Sequence, residues 1–297
     1  MTVPPPVARS AGLAGPAVLV LAAFGLLAGV ATLWMHLTTD PLADVRAYYD
    51  AGARLNAGLP LYPADADPNA PEFYRYPPLL AIAFRPLALL PFEAAAAIWM
   101  VVVLGSLVAT VWWIGPRRRE TWIALGILGL PIAWSASVGQ AQVPVTLLTA
   151  LGSPWAIALA AHLKLFPALV ALWWIGRREW RRLTAFAAWA AGIGLLQLVL
   201  APQATIDFLG TLTLQQVGHV RNLSPFVASP ILWAALVGAG VLLALRLAPT
   251  RWGWAAAVAL SVLATPRLLS YMFVTFLAAL REPGAEARAA GDARARA

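Results

Sequence analysis

Residues 17–37 read AVLVLAAFGLLAGVATLWMHL, with no Asp, Glu, Lys or Arg among them. An α-helix rises about 1.5 Å per residue, so such a run spans about 30 Å, the thickness of a bilayer's hydrocarbon core. It is too long for the apolar region of a cleaved signal peptide, and the residues before it bring only Arg9 and several prolines, so an uncleaved signal anchor is expected. Working outward, apolar stretches recur at 79–115, 121–137, 184–201, 231–247, 252–264 and 268–280. Hydrophobic residues fill 61% of 297 positions and charged ones 11%, far too little charge to cover a water-soluble domain. The expected fold is all-α: a polytopic transmembrane helical bundle forming one domain over 1–280. An Ala/Arg/Gly-rich tail, 281–297, is expected to be disordered.

Three apolar pieces, 143–151, 154–163 and 167–176, are separated by Gly152-Ser153 and by Lys164-Leu165-Phe166-Pro167. Each is too short to cross a bilayer alone and must be buried in protein or line a wet cavity. Counting each as one, the chain makes roughly ten crossings. The stretch 79–115 is interrupted at Arg85-Pro86 and Pro91-Phe92-Glu93, and reads either as one broken span or as a re-entrant piece followed by a span. No internal repeat is evident.

The formal charge is +8, but the arginines stand in short blocks between apolar segments (Arg117–Arg119, Arg177–Arg182). That is the positive-inside pattern of a membrane protein, not a nucleic-acid footprint. With the blocks, both termini and the tail in the cytoplasm, two polar loops fall on the far side of what is expected to be the plasma membrane: 38–77 and 202–230. The first holds six of the thirteen acidic residues: Asp40, Asp44, Asp50, Asp65, Asp67 and Glu72. Cysteine is absent, which excludes disulfides and thiol chemistry. His36, His162 and His219 lack ligand spacing, so no metal site is expected.

The first outer loop contains a helical segment, with Asp40 as N-cap, Pro41 at the first helical position and Gly58 as the stop. Leu42, Val45, Tyr49 and Ala53 give an apolar stripe, so this helix is expected to lie along the membrane surface. Asp50 stands four residues from both Arg46 and Arg54, the spacing of a surface ion network. Asp44 falls on another face, one turn from Tyr48. It is either a solvated carboxylate or a functional one.

Lys164 is the chain's only lysine and lies between two apolar pieces. A cation there either snorkels to the interface or meets a cavity or an anion such as phosphate. Gln140 and Gln142 suit interhelical hydrogen bonds or ligand contacts. His219, Arg221, Asn222 and Ser224 cluster in the second outer loop, and Arg267 follows Thr265-Pro266 between two spans. Tyr74, Tyr76 and Trp134 suit an interfacial belt or a sugar site. One carboxylate can take the proton from an acceptor hydroxyl, and cations can stabilise a phosphate leaving group. Glycosyl transfer from a lipid phosphate therefore needs no carboxylate pair and no cofactor. A transporter or flippase, and a non-catalytic scaffold, are the alternatives.

The ordered set Asp44-Val45-Arg46-Ala47-Tyr48, Gly58-Leu59-Pro60-Leu61-Tyr62, Tyr76-Pro77-Pro78-Leu79, Gly139-Gln140-Ala141-Gln142, Lys164-Leu165-Phe166-Pro167 and Asn222-Leu223-Ser224 resembles a known family. It is similar to the GT-C multispan glycosyltransferases, and within them to glycosyltransferase family 87, the polyprenyl-phosphate-mannose-dependent α-mannosyltransferases. The resemblance runs over residues 17–275. It implies an inverting enzyme that moves a sugar, mannose in that family, from a polyprenyl-phosphate donor to a lipid or glycan acceptor among membrane lipids on the outer face. Asp44 matches the family's acidic base. Lys164 with Arg221 and Arg267 would hold the donor phosphate. Tyr48, Tyr76, Gln140, Gln142, His219, Asn222 and Ser224 would contact sugar or acceptor. Two departures stand: Gln142 replaces the family's usual Asn, and the chain is shorter than typical members, which keeps a non-catalytic relative open.

Overall fold

The computed structural model describes residues 14–63, 67–70, 73–211 and 217–284, and among these there is no strand. Helix α1 (Ala14–Thr39) leads to the loop helix α2 (Ala43–Asn56), the short α3 (Pro78–Phe84) and α4 (Phe92–Ile114). Then come α5 (Arg119–Ile127), α6 (Gly129–Val138), α7 (Gln142–Leu151), α8 (Pro154–Leu163), a 3₁₀ turn (Phe166–Val170) and α9 (Ala171–Gly176). The described fold ends with α10 (Trp180–Leu200), α11 (Pro202–Thr211), α12 (Pro230–Leu247), α13 (Gly253–Leu263) and a terminal 3₁₀ helix (Ser270–Leu280).

Four helices, α1, α4, α10 and α12, are long and apolar enough to cross a membrane, and α5 with α6 makes a fifth candidate, bent by 67°. The shorter apolar helices run only 10 or 11 residues. The roughly ten expected crossings are thus a count of apolar helices, not of full-length spans. Proline explains the breaks at α3 and α8: Pro78 and Pro154 start these helices, where a missing N–H costs nothing. The stretch 79–115 resolves into α3, a turn and α4, so it is a short piece followed by a span.

The long helices form the perimeter and expose large apolar side chains such as Leu27, Trp34, Trp112, Val199 and Ile231, as lipid-facing surfaces do. α1 nonetheless docks closely. Gly25 and Gly29 lie against the backbone of Gly126 and Gly129, the small-residue contact that lets membrane helices approach. The short helices fill the centre. With 10 residues each, α7 and α8 are about 15 Å long, less than half of α4. Two aromatic cores hold them: Tyr48, Phe84 and Trp99 beneath α2, and Trp173, Trp174 and Trp254 at the opposite end.

Several local expectations change. α2 begins after Leu42, whose φ is +58°, with Ala43 N bonded to Asp40 O; Asp40 and Pro41 lie outside the helix, so Asp40 is no side-chain cap. Leu42 N is tied instead to Ser137 O, which anchors this entry to α6. The buried face of α2 is Val45, Ala47, Tyr48, Ala51 and Gly52, not the expected stripe through Tyr49 and Ala53. Packed against α3 and α4, α2 is a buried element rather than a surface float. Arg46 lies over Phe92 and Arg54 donates to Pro60 O. Gly58 does follow the helix end with φ +66°. Residues 281–284 belong to the fold, since Arg281 donates to Trp113 O and Glu282 approaches Arg177 at 3.8 Å. The disorder expected for the tail falls on 285–297, which lie outside the described residues, as do Arg9, Asp65 and Glu72.

Candidate functional site

The loop after α6 decides the geometry. α6 stops at Gly139, whose φ of +70° favours glycine and whose missing Cβ would collide with Val45. This close approach seats Gln140 against α2. Gln140 is fully buried, and its amide is used on both sides. Its Nε2 donates to Asp44 Oδ2 at 3.1 Å, while its Oε1 accepts from the Tyr48 hydroxyl at 2.7 Å and the Tyr76 hydroxyl at 3.2 Å. The Tyr48 oxygen in turn accepts from Ala141 N at 3.2 Å. Asp44 is thereby pinned through one oxygen, as a positioned carboxylate must be.

Asp44 is half-buried by surface area though surrounded by protein. Burial pushes its pKa up, while the charges of Lys164 and Arg75 pull it back down. Asp40, just ahead of α2, behaves differently. Burial opposes its charge, but hydrogen bonds from Thr39 and His36 and the charge of Arg221 outweigh that and hold its pKa below the usual value.

Lys164 closes α8, its N–H bonded to Ala160 O, and Pro167 prevents the helix from continuing. The side chain is 8% exposed. Its Nζ lies 4.9 Å from the Tyr76 ring centre and 4.8 Å from that of Tyr271, and has no hydrogen-bond partner among the described residues. Ring faces stabilise a cation only partly, and a buried ammonium without a counter-ion is costly. Tyr76 joins the two halves of the site: its hydroxyl bonds Gln140 and its ring faces Lys164.

Beside them is a cavity of about 230 Å³, lined by Lys164, Arg75, Arg267, Tyr76 and Gln142 and by apolar side chains such as Phe166, Phe208 and Met272. Arg75 Nη2 and Arg267 Nη1 converge on the same carbonyl, Pro68 O, the former at 3.2 Å. Arg267 passes so close to Gly218 that any Cβ there would collide with it. Among the described residues, Arg75 Nη1 and Arg267 Nε have no partner. Three cations with unused N–H groups thus share one apolar-flanked cavity, the composition that suits a phosphate carrying a long apolar chain.

Seven of the residues singled out by sequence meet here: Asp44, Tyr48, Tyr76, Gln140, Gln142, Lys164 and Arg267. Gln142 is committed to Thr275 Oγ1 at 2.7 Å. The second outer loop lines the cavity with Phe208, Thr211 and Val217, but His219, Arg221, Asn222 and Ser224 are not in that lining. His219 is exposed, held through its backbone by Asn69. Asn222 uses its amide on backbone alone, donating to Gly218 O and Pro266 O and accepting from Ser224 N and Leu268 N. It is a staple that fixes the segment carrying Arg267. Ser224 accepts from Phe226 N and caps a turn. Arg221 is exposed, its guanidinium 5.7 Å from the Trp134 ring centre. Sequence reading missed Arg75 and Tyr271. Arg75 carries one faint signal, its setting in the rigid aromatic run Phe73-Tyr74-Arg75-Tyr76-Pro77-Pro78.

The family model described as glycosyltransferase family 87 matches residues 73–290. A protein of Mycolicibacterium smegmatis named polyprenol-phosphate-mannose-dependent alpha-(1-2)-phosphatidylinositol pentamannoside mannosyltransferase is 33% identical over 227 residues, covering 68% of this chain and 54% of its own. A Mycobacterium tuberculosis protein of the same name is 28% identical over 69% of this chain and 52% of its own. Another from that species, named as acting on phosphatidylinositol mannoside, is 30% identical over 59% of this chain and 50% of its own. The chain therefore spans about half the length of the curated relatives it matches. No solved structure matches it. With the family model matching most of its length, this chain belongs to glycosyltransferase family 87.

Proposed function

We propose that this integral membrane protein is an inverting glycosyltransferase that moves a mannosyl group from a polyprenyl-phosphate donor to a mannoside acceptor. The observation that carries the reading is the buried Lys164 ammonium, without a hydrogen-bond partner among the described residues and adjoining, through Tyr76, the carboxylate held by Gln140. The relatives' names supply the donor and acceptor classes. The active site faces the outer side of the plasma membrane, with both termini cytoplasmic. That orientation rests on the arginine blocks Arg117–Arg119 and Arg177–Arg182 at the end of the bundle away from Asp44.

The reaction follows from the two halves. Lys164, Arg75 and Arg267 bind the phosphate oxygens, and the polyprenyl chain leaves along the apolar flank of the cavity. The acceptor hydroxyl attacks the anomeric carbon from the face opposite the phosphate. The new C–O bond forms as the anomeric C–O bond to phosphate breaks. The hydroxyl proton passes to Asp44, and the bonding electrons leave on the phosphate oxygen, where the three cations neutralise them. The products are the mannosylated acceptor and polyprenyl phosphate, with configuration inverted at the anomeric carbon.

The test is incubation of the purified protein with radiolabelled polyprenyl-phosphate-mannose and a crude mycobacterial lipid extract. Label appearing in the lipid mannosides with wild type, and not with Asp44→Asn, is the expected result. Donor bound without transfer to any acceptor by wild type would overturn the enzyme reading in favour of a lipid-binding relative.

A further inference from the structure

Transfer requires two substrates to meet at Asp44, and the cavity with Lys164 accounts for one of them. A second group of side chains lies across an aromatic wall. Tyr271, whose far neighbour is Lys164, packs edge-on against Trp134 with ring centres 5.9 Å apart. On its other sides Trp134 meets His36 at 5.1 Å and the Arg221 guanidinium at 5.7 Å. His36 Nδ1 holds Asp40 Oδ1 at 2.6 Å, and the Thr39 hydroxyl donates to the same oxygen at 2.8 Å. The Asp40 side chain stays 37% exposed with Oδ2 outside these bonds.

The two sides differ in charge. Among the described residues the cavity lining holds three cations and no carboxylate, which fits an anion. The ledge offers one guanidinium and one carboxylate, each oriented by an aromatic or imidazole neighbour and each open to the outside. Such a pair suits a ring bearing several hydroxyls, which donate to a carboxylate and accept from a guanidinium, better than it suits a phosphate facing a fixed carboxylate. Asp44 follows Asp40 by four residues, at the start of α2. The charge of Asp40 acts on Asp44, so a ring held on the ledge would lie near that carboxylate.

From this arrangement we propose that Arg221 and Asp40, set around Trp134, form the acceptor subsite and recognise the polyhydroxylated sugar ring of a mannoside. The inference deepens the proposed function and rests on it. It reassigns Arg221 from the donor phosphate to the acceptor.

The experiment measures transfer to purified phosphatidylinositol mannoside in detergent, and donor affinity separately by titration with polyprenyl-phosphate-mannose. Arg221→Gln raises the KM for the acceptor by about tenfold, the loss of a charge-assisted contact, and leaves donor affinity unchanged. The deacylated headgroup, added as a competitive inhibitor, weakens by the same factor. Because Arg221 has φ +56°, Arg221→Asn, which tolerates that conformation, serves as a second variant against misfolding. Unchanged acceptor KM in both variants overturns the proposal, as does weakened donor affinity, which would return Arg221 to the phosphate. A loss seen with the intact lipid but not with the headgroup also overturns it, by assigning the contact to the lipid portion. Wild-type transfer in the same assay is the control that separates this failure from failure of the enzyme reading.

Discussion

At one end of the bundle Arg177 lies 2.7 Å from Glu179 and 3.8 Å from Glu282, and Arg182 lies 3.3 Å from Glu179. At the other end the Lys164 ammonium sits between two tyrosine rings, and Arg75 and Arg267 retain N–H groups without partners among the described residues. Both ends are cationic, and both are crowded by tryptophan or tyrosine. They differ in contact: the arginines at the first end touch carboxylates directly, whereas Asp44 acts on Lys164 through its charge without an ion-pair contact. A paired arginine clasps chain segments together, here the α9–α10 turn and the chain after the terminal 3₁₀ helix. A buried cation whose N–H groups are left unbonded is costly unless a ligand brings an anion to meet them. The comparison therefore assigns structure to the first end and substrate to the second.

The largest effect that can break this comparison lies at Asp44. Asp44→Asn keeps size and the Gln140 contact but cannot accept a proton. Transfer should fall by about 10² to 10⁴, with donor binding retained. Asp50→Asn, one face away on α2, should transfer normally. A dead Asp50→Asn beside an active Asp44→Asn would move the base to the other face.

Lys164 comes next. Lys164→Gln should weaken donor binding by roughly 10- to 150-fold, the equivalent of about 1.5–3 kcal/mol for a hydrogen bond to a charged group. Lys164→Arg should restore only part of it, because a longer, planar guanidinium places its N–H groups differently from a compact ammonium. Normal donor affinity in Lys164→Gln would remove the phosphate assignment.

A smaller effect is expected from pH. The transfer step needs ionised Asp44, so its rate falls as pH drops through that pKa. Burial raises the pKa to about 6, so the acid limb of the rate should lie near there, well above an ordinary carboxylate's, at about tenfold per pH unit below it. An acid limb at pH 4 or lower would mean that Asp44 is solvated and not held as described.

The smallest effect should come from the paired end. Arg177→Gln should lower stability by about 1 kcal/mol, as a partly exposed ion pair does, and leave donor affinity within about twofold. Thermal unfolding and donor titration on the same sample check both halves.

What the sequence disclosed divides along the same line. The long perimeter helices were legible because a long uninterrupted apolar run admits few other readings; α1 and α12 begin and end close to the expected limits. Asp44 and Lys164 stood out for a similar reason, as charges with no local partner. Other residues read differently once their contacts are known, some of them local and some distant in the chain. Asp40 looks like a cap until His36, one turn earlier on α1, takes its carboxylate at 2.6 Å. Asn222 and Ser224 look like ligand contacts until their bonds to backbone are seen. Arg75 looks like a loop arginine until Arg267, 192 positions on, meets it at Pro68 O. The 67° bend between α5 and α6 had an unused signal: Pro131 lacks the N–H that would bond Ile127 O, the last residue of α5.

The most direct test of the contrast between the two ends is a cycle of binding measurements with two ligands, polyprenyl phosphate and the neutral polyprenol, on wild type, Lys164→Gln and Arg177→Gln. Wild type should prefer the phosphate strongly, Arg177→Gln should keep that preference, and Lys164→Gln should lose most of it while binding the neutral alcohol as before. A phosphate preference undiminished in Lys164→Gln, or lost in Arg177→Gln instead, would contradict the assignment of the unpaired end to the donor.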